Sequence, residues 1–381
     1  MDLAHFYKPN LHETLTRLRD FWMRRMTGEI TAVVRGFPNP YFQQFLDSRR
    51  LEPEGSEAAD IPDDTLRLAY WDAKLRICGE VHDDSMPVAY PTLDFGESLI
   101  TALVGGKIRL FWKGDGATYS ALVAPVVSSE EDISGLGFDE NSAIARQVAA
   151  VTAAMQERAR GLFGVCPFIT MDALNFACEV MGTTRAYTAV ANGGSREVHR
   201  LMDFAVDLNI RFLEQQQQMI DDFAGGAFHW AAGWVPFMGA TPWLSVDSYT
   251  CCSPRTYAEA GQAYQQRLVD HFGQGVMHYH SSRLDLLLEV AKLKGLVALS
   301  IDGSGRPQDP SPFSILLRHG AEIRKVAGDL PLMVACTQSE LLEHMADRSL
   351  PGNVRYTVTD VETIAEANTL MDQVRGYRAR V

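Results

Sequence analysis

From about Leu162 onward the chain repeats one phrase, a short apolar run followed by a longer amphipathic one. "LFGVCPFI" leads into helical stretches that include "SREVHRLMDFAVDLNIRFLEQQQQMIDDF", and "GGAFHWAAGW" and "TPWLSV" precede "SPRTYAEAGQAYQQRLVDHFG". "QGVMHYH" is followed by "RLDLLLEVAKLKG", "LVALSID" by "FSILLRHGAEIRKVAG", "LPLMVAC" by "SELLEHMADRS", and "VRYTVT" by "DVETIAEANTLMDQVRGY". Strands that lack polar alternation are buried on both faces, and a helix after each indicates a parallel sheet covered by helices. Repetition of this kind predicts an α/β fold, a single (β/α)8 TIM-type barrel with an N-terminal helical extension. An open doubly wound sheet is the alternative, but no GxGxxG follows a strand and no GxxxxGK[ST] occurs.

Before that repetition the grammar differs. "NLHETLTRLRDFWMRRMTGE" places Asn10 and Glu13 at capping-box spacing, repeats apolar residues at helical intervals and stops near Gly28, which predicts a helix. "ITAVV" reads as a strand, "EPEGSEAADIPDD" as a solvated acidic loop, and Asp63 to Gly79 as a helix. The expected division is residues 1–94 as a helical cap and 95–381 as the barrel.

The 381 residues carry a formal charge of −13, which argues against nucleic acid and anionic membranes as partners and leaves a small molecule as the expected one. A basic pocket is still allowed, with Arg24, Arg25 and Arg35 as its sources, although a solvated helix face is the commoner role for such residues. No apolar run approaches the ~20 residues of a membrane span, and "MDLAHFYKPN" lacks signal-peptide character, so the expected location is the cytoplasm. The six cysteines show no CxxC spacing, so neither a disulfide framework nor a zinc ribbon is indicated. A homodimer is compatible with the sequence.

In a barrel the chemistry sits at the C-terminal ends of the strands. That rule selects Asp172, His229, Trp230, Asp247, His278, His280, Asp302 and Cys336. His278 and His280 are two apart, so on a strand both face one side. With Cys336 they form a candidate three-ligand zinc site that leaves one position open for substrate. The bland alternatives are polar packing for the histidines and a small buried residue for the cysteine. Asp247, Asp302 and Asp172 are the acid–base or imidazole-orienting candidates, or caps of the helices that follow. His229, Trp230, Trp234 and Tyr279 are the substrate-contact candidates, although alternation turns Tyr279 toward the helices and the Trp-rich segment suits core packing.

The stretch "DSYTCCSPRTYAEAGQAYQQRLVDHFGQGVMHYHSSRLDLLLEVAKLKGLVALSID" resembles the uroporphyrinogen decarboxylase-like superfamily: an acidic residue, a Ser-Pro opening a helix, a strand ending in His and a following strand ending in Asp. That superfamily comprises single-domain (β/α) barrels, including the decarboxylase, the zinc-dependent corrinoid:coenzyme M methyltransferases and the cobalamin-independent methionine synthase barrel. Weaker likeness extends through "FITMDALNFACEVMG" and "FWMRRMTGEI". The methyltransferase branch binds zinc through a His-x-Cys and a distant Cys. The resemblance therefore sets His278 on the His, His280 on the first Cys position and Cys336 on the second. An imidazole in place of a thiolate makes such a site less negative and a weaker electron donor. The decarboxylase branch relies on an RQAGR-type motif, which this chain lacks.

The resemblance implies a methyltransferase that activates a thiol on zinc, with the methyl group supplied by a methyl-corrinoid on a partner protein, since the chain has no DxHxxG signature of its own. Alternatives are a metal-free decarboxylase in which arginines hold carboxylates, and a small-molecule-binding barrel without catalysis.

Overall fold

The computed structural model describes residues 6–39, 41, 44, 47, 64–91, 96–112, 119–237, 239–280, 283–303 and 308–380. The acidic run and Phe95 lie outside the described residues. In chain order the strands are β1 (Thr31–Val34), β2 (Val88–Ala89), β3 (Ile108–Trp112), β4 (Tyr119–Val123), β5 (Gly164–Val165), β6 (Ala227–His229), β7 (Gly233–Val235), β8 (Trp243–Ser245), β9 (Gly275–His280), β10 (Leu296–Asp302), β11 (Leu332–Cys336) and β12 (Val354–Val358).

Six of them form one parallel sheet in the order β1-β12-β11-β10-β9-β8. Its run from β8 to β12 is the repeated phrase of the sequence made physical. The helix Pro312–Ala327 starts from a Ser311 cap with Pro at its first turn, and helices Gln338–Ala346 and Ile364–Gly376 start from capping boxes at Thr337/Glu340 and Thr363/Glu366. Each cap ties up backbone N–H groups that the first helical turn leaves without partners, so the chain can turn sharply off a strand end.

Alternation divides the sheet into two faces. Met277, Tyr279, Leu299, Ile301, Leu332, Val334, Cys336, Tyr356 and Val358 face the helices in the main apolar core. Val276, Ala298 and Met333 face the other way, where they pack with Phe21 and Trp22 of helix Leu11–Trp22 and with Phe228 and Trp234. Toward the C-terminal ends this second, inner face turns polar.

The expected eight-stranded closure is not made by hydrogen-bonded ladders among the described residues: β2 and β5 form a separate parallel pair, and two antiparallel hairpins, β3-β4 and β6-β7, stand apart. The segment "GGAFHWAAGW" is therefore a hairpin and not a strand of the sheet. At the open edge of β1, carboxylates substitute for a neighbouring strand. Asp84 Oδ2 accepts the Ala32 N–H and Asp83 Oδ2 the Val34 N–H, each at 2.9 Å. Both acids are buried, Asp83 beside Lys8 at 3.0 Å and Asp84 beside Arg17 at 2.7 Å.

Within residues 1–94, strand β1 pairs along its length with β12 and so belongs to the main sheet. The first helix also departs from expectation: Asn10 makes no side-chain cap, and Glu13 reaches Arg375 at 2.6 Å in place of closing a capping box. Arg24 and Arg25 sit past its end in exposed pairs with Asp329 and Asp20, whereas Arg35 lines a cavity. Among the described residues no helix is long and apolar enough to cross a membrane.

Candidate functional site

Register places Ser245, His278 and Ser300 level across β8, β9 and β10, with His280 and Asp302 level two residues further on. All five belong to the inner face. His278 Nδ1 lies 2.8 Å from Asp302 Oδ2, an ion-pair distance at which the N–H direction misses a linear hydrogen bond. Ser300 Oγ donates to the same carboxylate oxygen at 2.8 Å. Burial alone would raise the Asp302 carboxyl, but the contacts with His278 and Ser300 and the nearby His280 together hold it below its ordinary value. Asp302 is thus an anion positioned to orient an imidazole.

His280 Nδ1 lies 2.9 Å from the Gly303 carbonyl. A carbonyl only accepts, so that nitrogen carries a proton. The His278 and His280 ring centroids are 4.2 Å apart, and Trp243 covers His278 at 4.2 Å. His229 also stacks on Trp243, at 5.8 Å. Its Nδ1 accepts two backbone N–H groups, from Ala231 and Ala232. Burial pushes His229 down to about 3, so this ring is a neutral spacer and not an acid or base.

Cys336 does not join this group. In register with Val358 and on the same face as Val334, its side chain belongs to the helix-side core, and burial pushes the thiol up to about 12. The reason is parity: Ala335 and not Cys336 shares the inner face with Thr357. Among the described residues no group of three or more His, Cys, Asp or Glu is arranged to hold a metal ion. Tyr279 is likewise on the helix side, bonded through its hydroxyl to the Arg283 carbonyl. Trp234 is buried and donates to the Phe223 carbonyl at 2.9 Å.

A second set of acids lies at the ends of β5 and β8. Asp172 caps helix Ala173–Met181, accepting from Leu174 N and Asn175 N, and also accepts from Gln265. Glu97, which sequence reasoning missed, accepts from Asn175 at 2.9 Å. Burial and the charge of Asp247 push Glu97 from 4.5 to about 8, and burial raises Asp172 from 3.8 to about 7. The folded chain therefore binds protons that the unfolded chain has already released, and stability falls as pH rises from about 5 to about 8. Glu97→Gln is expected to flatten part of that slope, as read from urea midpoints at several pH values. An identical slope in the variant would remove Glu97 from this account.

Buried side-chain atoms without partners among the described residues include Trp243 Nε1, Asp247 Oδ1 and Arg355 Nε. Such atoms are rare and call for a group that satisfies them. At the C-terminal ends of β1 and β12 a cavity of about 630 Å³ is lined by Arg35, Lys74, Arg355, Tyr70, Trp71, Tyr90 and Trp230. Trp230 meets Tyr90 edge to face at 4.5 Å, one residue on from His229. The turn that follows Arg35 needs glycine at Gly36, where φ is +103° and a Cβ would lie 2.7 Å from the Thr359 carbonyl oxygen.

No family model matches the chain, and no curated relative does. Solved structures do match. A methyltransferase from Methanosarcina mazei aligns over 95% of this chain and 98% of its own, with a TM-score of 0.56 and 11% identity. At that identity the likeness is one of fold.

Proposed function

We propose that the chain is a methyl-transfer enzyme on a (β/α)8-type barrel whose seams are interrupted beside β1 and between β5 and β8. The observation that carries this reading is the His278–Asp302 pair, buttressed by Ser300 at the ends of adjacent parallel strands. The fold likeness to a methyltransferase supports it. The Asp302 charge 2.8 Å from His278 Nδ1 favours the tautomer protonated on that nitrogen, which leaves the other ring nitrogen to take a proton from an acceptor thiol. The thiolate then attacks the methyl carbon, the new S–C bond forms, and the bond from methyl to donor breaks with its electron pair. A methyl-corrinoid carried by a partner protein is the donor class in this reading.

Zinc on His278, His280 and Cys336 does not fit, because the thiol belongs to the opposite face of the sheet. No step here runs through a metal. Cys336→Ala is accordingly expected to leave both metal content and methyl transfer unchanged, whereas loss of both would restore the three-ligand site. The test of function uses methylcobalamin with a panel of small thiols, reading methylated thiol by mass spectrometry. Wild type should transfer and Asp302→Asn should be slower by ~100-fold; no methylated thiol with any acceptor would overturn the proposal.

A second reading, decarboxylation of a carboxylate substrate, is favoured by the cavity itself. In a chain of charge −13, Arg35, Lys74 and Arg355 line it, while its two acids, Asp83 and Asp84, are committed to Lys8, Arg17 and the backbone of β1.

A further inference from the structure

Lys74 extends from helix Asp64–Glu80 along the wall of the 630 Å³ cavity; the residue as a whole is exposed, while neighbouring protein crowds its amine. Among the described residues it has no carboxylate partner. Its Nζ lies 5.5 Å from the Tyr70 ring centroid and 5.7 Å from that of Trp71, near the outer limit of cation–π attraction, so the rings act chiefly as apolar walls. Arg35 is the charged neighbour, and it repels an ammonium. We propose that Lys74 is a nucleophilic amine that condenses with the carbonyl of an aromatic 2-oxo acid bound in this cavity.

The chemistry follows from the lining. An amine crowded by protein and set beside another cation loses its proton more readily than a surface lysine, and this is how lysines become nucleophiles. Crowding and then Arg35 push Lys74 from 10.5 to about 8. Its lone pair attacks the carbonyl carbon, forming the C–N bond while the carbonyl π pair moves to oxygen, which takes up one of the two N–H protons. The C–OH bond then breaks, oxygen leaves as water, and the nitrogen loses its remaining proton to give a neutral imine. Amine and carbonyl are consumed, imine and water are formed, and no oxidant or reductant is needed. Arg35 is the group available to the carboxylate of such a ligand, since Arg355 already donates to the Ala231 and Ala232 carbonyls, and Tyr90 and Trp230, packed edge to face, offer its ring an aromatic wall. The proposal does not depend on methyl transfer at His278.

The test is reductive trapping on the full chain at pH 8 with phenylglyoxylate and cyanoborohydride, followed by peptide mapping. Lys74 should be labelled at least tenfold faster than the exposed Lys292, Lys294 and Lys325, because about half of its amine is free base at that pH against well under one part in a hundred for an ordinary lysine. Labelling of Lys74 no faster than those three overturns the proposal. Lys74→Met, checked for an unchanged melting temperature, should abolish the fast adduct; its persistence at the same yield would also overturn it.

Discussion

Lys8→Met should lower the stability of the chain by about 3–5 kcal/mol, the cost of leaving one partner of a buried ion pair uncompensated. Lys8 is fully buried, its ammonium 2.9 Å from the Val81 carbonyl and 3.0 Å from Asp83 Oδ1. Burial would by itself strip the proton, but Asp83 reverses that and holds Lys8 above its ordinary value. Methionine matches the length of the stem and removes the charge, leaving the Asp83 carboxylate in a dry site. That carboxylate also receives the N–H groups of Val34 and Ser85, so the strand edge loosens with it. Urea denaturation reads the loss as a lower midpoint at unchanged slope. Adding Asp83→Asn to Lys8→Met should recover part of the stability, because a neutral amide no longer needs the missing ammonium. A single-variant loss below ~1 kcal/mol would mean that water reaches Asp83.

His278→Ala should reduce methyl transfer by 10²- to 10⁴-fold with little change in melting temperature, the range over which a positioned general base contributes. The ring lies against Trp243 and His280, and its removal leaves Asp302 still hydrogen-bonded to Ser300, so the strands keep their register. His280→Ala should cost less, since its Nδ1 is tied to the Gly303 carbonyl and no carboxylate orients it. An unchanged rate in the His278 variant would end its role as a base and move attention to the cation-lined cavity.

Much of the sheet was legible because a buried parallel strand is rich in apolar residues, as in "LPLMVAC" and the "LVAL" that opens β10, and each such run is followed by a helix. The HxH spacing correctly placed two imidazoles on one face. Had the same parity been applied to "SID", Ser300 and Asp302 would have emerged together as the buttress of that face, and the same parity in "LMVAC" would have turned Cys336 away. Glu97, Lys74 and Arg355 were not legible by such rules. They meet the inner face through helices and strand ends far apart in sequence, and only tertiary packing decides which polar residue arrives there. "GGAFHWAAGW" failed for a different reason: a short aromatic run suits a hairpin as well as a buried strand, and periodicity does not separate the two.

The carboxylates at the margin of β1 bear on how the chain behaves in crowded solution. A bare strand edge is a template on which a second molecule can add its own strand. Here the outward N–H groups of Ala32 and Val34 are already held by Asp84 and Asp83, and those acids are anchored by cations from a different part of the chain. An incoming strand would have to displace two ion pairs before making its first hydrogen bond. Removing both carboxylates, as in the Asp83→Ala/Asp84→Ala double variant, would lift that barrier, so self-association of that variant should begin at β1.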